Sequence, residues 1–373
     1  MKQGIKILMS LMQLDIGGAE THVLELAKEL KRRGNDIVVT SNGGAYEKEL
    51  QKFGIKHYKV PLQNKNPLNV IKAFKSLKKI IIDEKIELVH SHARIPSFIL
   101  GKLHKKMGFP FVTSAHGVFT TKYGLKYITD WGQATVAVSE DIKKYLLDNY
   151  NYPEEKIVVT INGIDLSVFS PETDNAPARS EFGISEDDFT IVFVSRLDVD
   201  CTKAARAILE KIEPLTQKIP NLKFLIVGGG TDYENIKALA DAANEKYGKH
   251  VLMAGSRTDM ASVICVADLF VGVSRAALEA MASQKPVILA GNQGYIGLFN
   301  DESSKVSYDT NFCGRGQGEI DTDTLFEDIL KFYSLPSDEK KRLGEYGRSF
   351  IEKHYSIDKM TDDTIKAYDM VLL

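Results

Sequence analysis

The chain has 373 residues, of which 43% are hydrophobic and 26% charged. This length predicts two domains, and the composition excludes a disordered chain, a collagen and a coiled coil. The net charge of −2 conceals an asymmetry, because residues 1–170 carry +8 and residues 171–373 carry −10, which favours two domains with different surroundings.

Targeting and redox signals are weak. No apolar run approaches the roughly 20 residues that span a bilayer, and no secretory leader precedes the first strand pattern, so we expect a cytoplasmic protein. Cys201, Cys265 and Cys313 lie far apart and form no CxxC pair. The sequence therefore predicts reduced thiols, with neither a disulfide framework nor a zinc site.

The first half alternates short apolar runs with amphipathic segments. A strand is predicted over Ile5–Met12 and a helix over Ala19–Arg33, whose apolar residues recur at helical spacing. Further strands are predicted at Ile37–Thr40, Leu88–His92, Phe111–Ser114, Thr135–Ser139 and Lys156–Ile161. Nearly continuous apolar strands separated by helices are typical of a parallel sheet that is covered on both faces.

The pattern pauses at Asp165–Asp188, which has two prolines and little apolar periodicity and is predicted to be a linker. Strands then resume at Phe189–Leu197, Lys223–Val227, His250–Ala254, Leu269–Val273 and Pro286–Ala290, and helices close the chain at Thr322–Ser334, Ser337–His354 and Ile357–Leu373. We therefore expect two doubly wound α/β domains, with a ligand cleft where the carboxyl ends of their strands face each other.

Gly17 and Gly18, followed by Ala19 and Glu20, separate the first strand from the first helix. Glycines at this place let the backbone approach a phosphate at the positive end of a helix. The spacing is not the GxGxxG of dinucleotide sites. A tight turn, with Glu20 favoured by the helix dipole, explains the motif equally well.

Three histidines end predicted strands. His90 and His92 point to the same face of the sheet, where a metal pair would need a third ligand that the sequence does not indicate. Hydrogen-bonded structural histidines are the simpler interpretation for both. His116 precedes Gly117 at the end of another strand, where such folds bind ligands, and this position favours a binding role.

Candidate anion-binding residues follow the strands of the second half. Arg196 and Lys203 frame the start of a helix and suit a diphosphate, although two solvated surface cations explain them as well. Gly228, Gly229 and Gly230 allow a sharp turn or a close ligand. Thr258 or Asp259 can cap the next helix. Ser274, Arg275 and Ala276 open a helix that carries Glu279 one turn in, where its carboxylate suits vicinal hydroxyls.

Together these motifs resemble glycosyltransferase family 4, which has the GT-B fold. The resemblance covers essentially the whole chain. It rests on the glycine turn, on His116, on Val138–Glu140 and Ile161–Asp165, on Arg196 with Lys203, on Val227–Gly230 and Gly255–Asp259, and on Leu278–Ala282 through Val287. It implies two Rossmann-like domains, residues 1–168 with a returning C-terminal helix at 356–373, and residues 169–355. It also implies a retaining, metal-independent transferase without a cofactor, whose donor is a UDP- or GDP-linked sugar.

The family's site residues are carried over position by position. Arg196 and Lys203 would hold the diphosphate, Glu279 the ribose, and His116 would contact the sugar near the reacting carbon. Gly17, Gly18, Gly229, Arg257, Ser274, Arg275 and Ala276 would complete the donor site, and Glu20, His92 and Asn162 would lie on the acceptor side. The sequence departs from the family at Val271, which occupies the position eight before Glu279 where a first glutamate is common.

The basic first half bears on the acceptor. Asn69–Ile82 is an amphipathic helix with lysines on its polar face, which favours either a core-packed helix with a solvated face or contact with an anionic membrane. The net charge of +8 suits an anionic, lipid-linked or phosphorylated acceptor, such as a cell-envelope glycan precursor at the inner membrane face. We expect no nucleic-acid partner. Two alternatives to transfer stay open: a non-catalytic GT-B subunit of a partner transferase, and a nucleotide-sugar epimerase.

Overall fold

The computed structural model describes residues 4–372, so the parts of the predictions that touch residues 1–3 or Leu373 lie outside it. The chain divides into two compact units. One runs to Gly163 and takes in the chain again from Ile357, and the other comprises Ile164–Ser356.

The N-terminal unit is built on a parallel sheet of seven strands in the order β3-β2-β1-β4-β5-β6-β7 among the described residues. Its strands are β1 (Lys6–Ser10), β2 (Asp36–Ser41), β3 (Lys56–Lys59), β4 (Leu88–Ser91), β5 (Phe111–Ala115), β6 (Ala134–Ala137) and β7 (Ile157–Val159). Its helices are α1 (Gly18–Arg32), α2 (Glu47–Lys52), α3 (Pro67–Asp83), α4 (Arg94–Met107), α5 (Leu125–Ile128) and α6 (Glu140–Tyr150).

The C-terminal unit has six strands in the order β10-β9-β8-β11-β12-β13, and only the last pairs antiparallel among the described strands. Its strands are β8 (Phe189–Val194), β9 (Leu222–Val227), β10 (Val251–Gly255), β11 (Leu269–Gly272), β12 (Val287–Gly291) and β13 (Gly294–Leu298). Its helices are α7 (Ala176–Phe182), α8 (Lys203–Glu210), α9 (Ile212–Lys218), α10 (Tyr233–Tyr247), α11 (Met260–Ile264), α12 (Ser274–Ala282), α13 (Asp301–Asp309), α14 (Thr322–Tyr333) and α15 (Ser337–His354).

The chain returns to the N-terminal unit in its last helix. This helix, α16 (Ile357–Leu372), packs against α1 and against β5, β6 and β7. Met360, Ala367 and Tyr368 are fully buried there, because a helix on a parallel sheet covers the sheet with its apolar stripe. The α/β class, the two Rossmann-like folds and the returning helix are confirmed.

Several boundaries differ from those predicted. The helix α7 lies inside Asp165–Asp188, which was expected to be a linker throughout. Two edge strands were missed. β3 is polar and half-exposed, and β13 holds two glycines, so neither shows a strand period in sequence. The strand expected at Thr135–Ser139 ends at Ala137, because Ser139 already precedes α6.

Candidate functional site

Four histidine rings pack together at the carboxyl edge of the N-terminal sheet. His22 lies on α1, His90 on β4, His92 directly after β4, and His116 directly after β5. The ring centroids of His90 and His92 are 3.9 Å apart, and those of His22 and His116 are 4.8 Å apart. Nδ1 of His92 and Nε2 of His116 share a hydrogen bond of 3.1 Å. His92 and His116, which were predicted separately, are thus brought together with His90, which was predicted on the same face as His92, and with His22, which was not singled out.

Burial keeps three rings of this histidine cluster, those of His90, His92 and His116, neutral. Desolvation lowers the pKa of His90 to about 3 and that of His116 to about 4, and it holds the pKa of His92 well below its ordinary value. The positive charge of one imidazolium would also oppose that of its neighbours. These three rings therefore supply neutral hydrogen-bonding groups at pH 7.

The cluster is fixed by polar partners from distant parts of the chain. His90 bonds to the hydroxyl of Tyr368 on α16 through Nδ1, and to that of Ser114 through Nε2, both at 2.8 Å. Nδ1 of His22 lies 3.3 Å from Oδ1 of Asn162. Asn162, predicted on the acceptor side, is 7% exposed, and its side chain contacts His22 of the cluster.

The glycine turn begins α1. Gly17 is the N-terminal cap, and a Cβ placed on it would come within 2.4 Å of the Glu20 carboxylate, which folds back over the turn. A Cβ placed on Gly18 would meet nothing within 4 Å, so the backbone at this first helical position faces open space. This geometry lets the α1 N-terminus receive an anion, and Glu20 lies beside it.

Arg196 and Lys203 stand at the carboxyl end of β8 and the start of α8, and both are exposed. Lys203 has Glu319 at 3.7 Å, while Arg196 makes no ion pair among residues 4–372. The nearby Asp198 accepts hydrogen bonds from the backbone N–H and the hydroxyl of Thr231, which lower the pKa of its carboxyl. Its carboxylate is thereby held by the neighbouring loop.

The three glycines after β9 are explained by packing between loops. A Cβ on Gly228 would come within 1.9 Å of the Ser195 carbonyl oxygen, and one on Gly230 within 2.5 Å of the Leu197 backbone. A Cβ on Gly229 would come within 2.5 Å of the hydroxyl of Ser256. The glycines therefore bring these loops together, and this accounts for the motif without a ligand.

The predicted residues of α12 lie together at its start. Ser274 adopts a left-handed φ of 55° and donates its N–H to the carbonyl of Phe312. Nε of Arg275 donates to Glu279 at 2.8 Å, and both side chains are almost fully buried. Ala276 is half-buried on the same turn. Glu279 therefore lies where it was expected, but its carboxylate is already paired with Arg275.

Arg257 belongs to a separate ion cluster. Its guanidinium makes paired hydrogen bonds to Glu181 at 2.6 and 2.9 Å and to Asp259 at 2.8 and 2.7 Å. These carboxylates raise the pKa of Arg257 above its ordinary value. A donor role for Arg257 would require it to leave these partners. Asp259 occupies the N-cap position of α11, where a capping role was considered, but its carboxylate bonds to Arg257 and makes no capping hydrogen bond.

Val271 has a purely structural place. It lies inside β11, is fully buried, and packs in the hydrophobic core of the C-terminal unit. Counting eight positions back from Glu279 therefore leads into the sheet, and not to a surface where a carboxylate reaches a sugar. The helix α12 starts two residues after β11, so the connection between them is very short.

Two further observations concern metals and membranes. Among the described residues, no group of three His, Cys, Asp or Glu side chains has the arrangement to hold a metal ion. None of the helices within residues 4–372 combines the length and the apolar character needed to cross a bilayer.

Comparison with known proteins shows what kind of enzyme the chain resembles. The family model for glycosyltransferase family 4 matches residues 16–168, and the model for glycosyl transferases group 1 matches residues 188–306. The chain is a glycosyltransferase whose first half matches family 4. The first match holds the histidine cluster, and the second holds Arg196, Lys203 and Glu279.

Individual relatives agree with this assignment. An uncharacterized glycosyltransferase of Methanocaldococcus jannaschii is 27% identical over 372 residues, 95% of each chain. The UDP-Gal:alpha-D-GlcNAc-diphosphoundecaprenol alpha-1,3-galactosyltransferase of Escherichia coli is 26% identical over 62% of this chain and 65% of its own. The structure of Anabaena HepE in complex with UDP and glucose has a TM-score of 0.75 and 16% identity, with 98% of this chain and 99% of HepE covered.

This glycosyltransferase thus carries its candidate residues in two sets, one in each unit. Sequence reasoning missed His22 and Tyr368, both fully buried. A signal for His22 existed, since it stands four residues before the buried Leu26 on the same face of α1. No local signal pointed to Tyr368, because its partner His90 lies 278 residues away in the chain.

Proposed function

We propose that this transferase moves a hexosyl unit from a UDP- or GDP-linked sugar to a glycan or lipid-linked acceptor, with retention of configuration and without a metal ion. The observation that carries the proposal is the position of Arg196 and Lys203 at the carboxyl end of β8 and the start of α8. Ligands of doubly wound sheets bind at this edge. Both cations are exposed, so their charges are accessible to a ligand.

The chemistry follows from where charge develops. When the glycosidic bond breaks, negative charge accumulates on the departing nucleoside diphosphate. An arginine fork and a lysine ammonium stabilise such a diphosphate directly, which is the task a divalent cation performs in other transferases. No protein carboxylate is proposed as a nucleophile. The acceptor attacks from the face that the diphosphate leaves, and this gives retention.

The relatives favour the same substrate classes. The E. coli relative is named for a UDP-sugar donor and a diphosphoundecaprenol acceptor. An acceptor of that kind is anionic and lipid-linked, and it suits the basic N-terminal unit. These names support the choice of donors and acceptors to be tested first.

The first experiment measures thermal unfolding with UDP, GDP and their sugars in the presence of EDTA. A nucleotide at about 100 times its Kd should add roughly 2.7 kcal/mol of stability. We expect the shift to be lost in Arg196→Ala and in Lys203→Ala. Arg342→Ala is the matched control, because it removes an exposed guanidinium of the same unit that pairs with the neighbouring Glu339.

Product analysis then tests the reaction. The anomeric configuration of the transferred sugar, read by proton NMR, should match that of the donor. Inversion would refute retention, and a requirement for Mg²⁺ or Mn²⁺ would refute metal-free transfer. Donor isomerised in the absence of acceptor would favour the epimerase alternative.

We further propose a peripheral contact with an anionic membrane through the N-terminal unit. The sequence holds no Asp or Glu between Glu49 and Asp83, and none between Glu87 and Asp130. These two stretches contain α3, α4 and the loop 117–129 that follows β5. None of the lysines on these three elements makes an ion pair within the described part of the chain. The result is a strongly cationic surface without internal neutralisation.

The same stretches hold most of the exposed large hydrophobic side chains of the described chain. Tyr123, just before α5, and Tyr127, on α5, are 95% and 88% exposed. The base of this loop is fixed, because Arg94 donates to the Thr120 carbonyl at 2.8 Å and Phe119 stacks on Trp131. The other exposed members are Leu68, Ile71, Ile82, Val118 and Ile128. Tyrosine and lysine together are typical of the membrane interface.

Vesicle co-sedimentation tests this contact. We expect binding to phosphatidylcholine vesicles that contain phosphatidylglycerol, and much weaker binding to phosphatidylcholine alone. Tyr123→Ser with Tyr127→Ser, or Lys72→Glu with Lys75→Glu, should reduce it. Leu239→Ser and Lys218→Glu, exposed positions of the C-terminal unit, are the matched controls. Equal binding to neutral and anionic vesicles would contradict the proposal.

A further inference from the structure

The pair His92 and His116 shares a single proton. Nδ1 of His92 and Nε2 of His116 lie 3.1 Å apart. Both rings are neutral at pH 7, because desolvation lowers both pKa values. A neutral imidazole has one N–H and one bare nitrogen, so one ring must donate and the other accept. The direction of this hydrogen bond fixes the tautomer of both rings.

The surroundings of His92 decide the direction. Its Nε2 is buried and has no hydrogen-bond partner in the described part of the chain. If His116 donated, His92 would carry its proton on this Nε2 and bury an N–H without an acceptor. Orphaned buried N–H groups are rare in folded proteins, and a bare nitrogen avoids that donor. The arrangement therefore favours a proton on Nδ1 of His92, donated to Nε2 of His116.

We propose that His92 is a positioning residue that holds His116 as the Nδ1–H tautomer, so that His116 presents a hydrogen-bond donor and not a base. Nδ1 of His116 has no protein partner among residues 4–372, and the ring is half-buried. Its N–H is thus available to an oxygen of a ligand. That this ligand is the donor sugar rests on the proposed function, whereas the tautomer itself does not.

His92 is held firmly enough for this role. Its backbone N–H donates to the Ser10 carbonyl at 2.9 Å, and its ring packs against His90 at 3.9 Å. The partners of the neighbouring His90, Tyr368 and Ser114, are hydroxyls that can donate or accept, so they are compatible with either tautomer of His90. The tautomer of His116 is therefore set at one contact, the one with His92.

Nitrogen NMR of the full chain labelled with ¹⁵N-histidine reads the tautomer directly, without turnover. The chain has eight histidines, and the signals lost in His116→Gln assign that ring. We expect His116 to carry its proton on Nδ1 and to have a bare Nε2. A proton on Nε2 of His116 in the wild-type protein would overturn the proposal.

Two isosteric variants extend the test to activity. In His92→Asn the side-chain amide can still donate to Nε2 of His116, whereas the carboxylate in His92→Asp can only accept. We expect His92→Asn to keep the tautomer and activity within about threefold, and His92→Asp to move the proton to Nε2 and lower kcat by about tenfold or more. Equal activity of the two folded variants would refute the positioning role. If the wild-type protein shows the expected tautomer of His116 but transfers no sugar, the proposed function is refuted and the tautomer proposal is not.

Discussion

Arg275 and Glu279 form a buried ion pair on α12, with Nε of Arg275 2.8 Å from Oε1 of Glu279. The two side chains are 7% and 10% exposed. Each charge is thus largely removed from water and depends on polar partners for compensation. A residue assigned to the donor ribose by sequence consequently also supports the fold.

Removal of Glu279 should therefore lower both stability and donor binding. We expect Glu279→Ala to reduce the free energy of unfolding by about 3 kcal/mol, because it leaves the Arg275 guanidinium buried without its carboxylate. Urea unfolding measures this loss. Arg196→Ala removes an exposed cation and should stay within about 0.5 kcal/mol of wild type. A Glu279→Ala protein as stable as wild type would show that the pair is dispensable.

The histidine cluster should make the protein sensitive to mild acid. The folded pKa values of His90 and His116, about 3 and about 4, lie below the ordinary value of 6.5. The unfolded chain therefore binds more protons below pH 6.5, and stability falls as the pH falls from 6.5 towards 4. Each of these rings should lower the free energy of unfolding at pH 5.5 by about 1.4 kcal/mol relative to pH 7.5.

Thermal unfolding between pH 7.5 and 5.5 checks this slope. His116→Gln should make the loss of Tm with falling pH shallower, because it removes one group that titrates only on unfolding. His250→Gln should leave the slope unchanged, since His250 is half-buried outside the cluster and bonds to the Leu222 carbonyl. The same slope in both variants would place the acid sensitivity elsewhere.

The sequence predicted the fold from the strands that are buried on both faces, and the failures have physical causes. β4 and β5 are continuous apolar runs and were found to within a residue or two. The edge strand β3 packs one half-buried face and has no apolar run. The helix α7 follows Asn175 and has only seven residues, and the prolines and acids around it leave no apolar periodicity that would predict a helix.

The candidate site was predicted residue by residue but not as an arrangement. His116 and Arg196 could be chosen because they end strands. The contact of His22 with His116 brings together residues more than 90 positions apart, and only the parallel order of β1, β4 and β5 makes them neighbours. Spacing along the chain also could not show that Arg257 is held by Glu181.

Two glycines should respond oppositely to the same substitution. A Cβ on Gly18 meets open space at the first position of α1, so Gly18→Ala should leave stability unchanged or raise it by about 0.5–1 kcal/mol. If the backbone there approaches a phosphate, the methyl group should weaken donor binding. Gly228 has φ of 138°, and its Cβ would come within 1.9 Å of the Ser195 carbonyl oxygen.

Gly228→Ala should accordingly destabilise the protein by more than about 2 kcal/mol, because the left-handed backbone and the backbone contact both oppose a side chain. Denaturant unfolding of the two alanine variants, with nucleotide titration of Gly18→Ala, separates the effects. A stable, fully active Gly18→Ala protein would remove the α1 N-terminus from the donor site.

Substitution of Val271 tests whether this residue lies at the substrate, as its spacing from Glu279 implies, or in the core, as the structure shows. If the site lacked a carboxylate only because valine replaced it, Val271→Glu would improve transfer. The structure places this side chain inside β11, fully buried, in a core that also contains Ile191 and Ile288. A carboxylate there would be desolvated among the apolar side chains of that core, and such burial costs several kcal/mol.

We therefore expect Val271→Glu to unfold the C-terminal unit or to lower its stability by more than about 4 kcal/mol. Val271→Ile, which keeps the side chain apolar, should cost less than about 1.5 kcal/mol and retain nucleotide binding. Circular dichroism with chemical denaturation distinguishes the two. A folded Val271→Glu protein with raised activity would show that residue 271 reaches the substrate. Residue 271 would then not be buried in the core during catalysis.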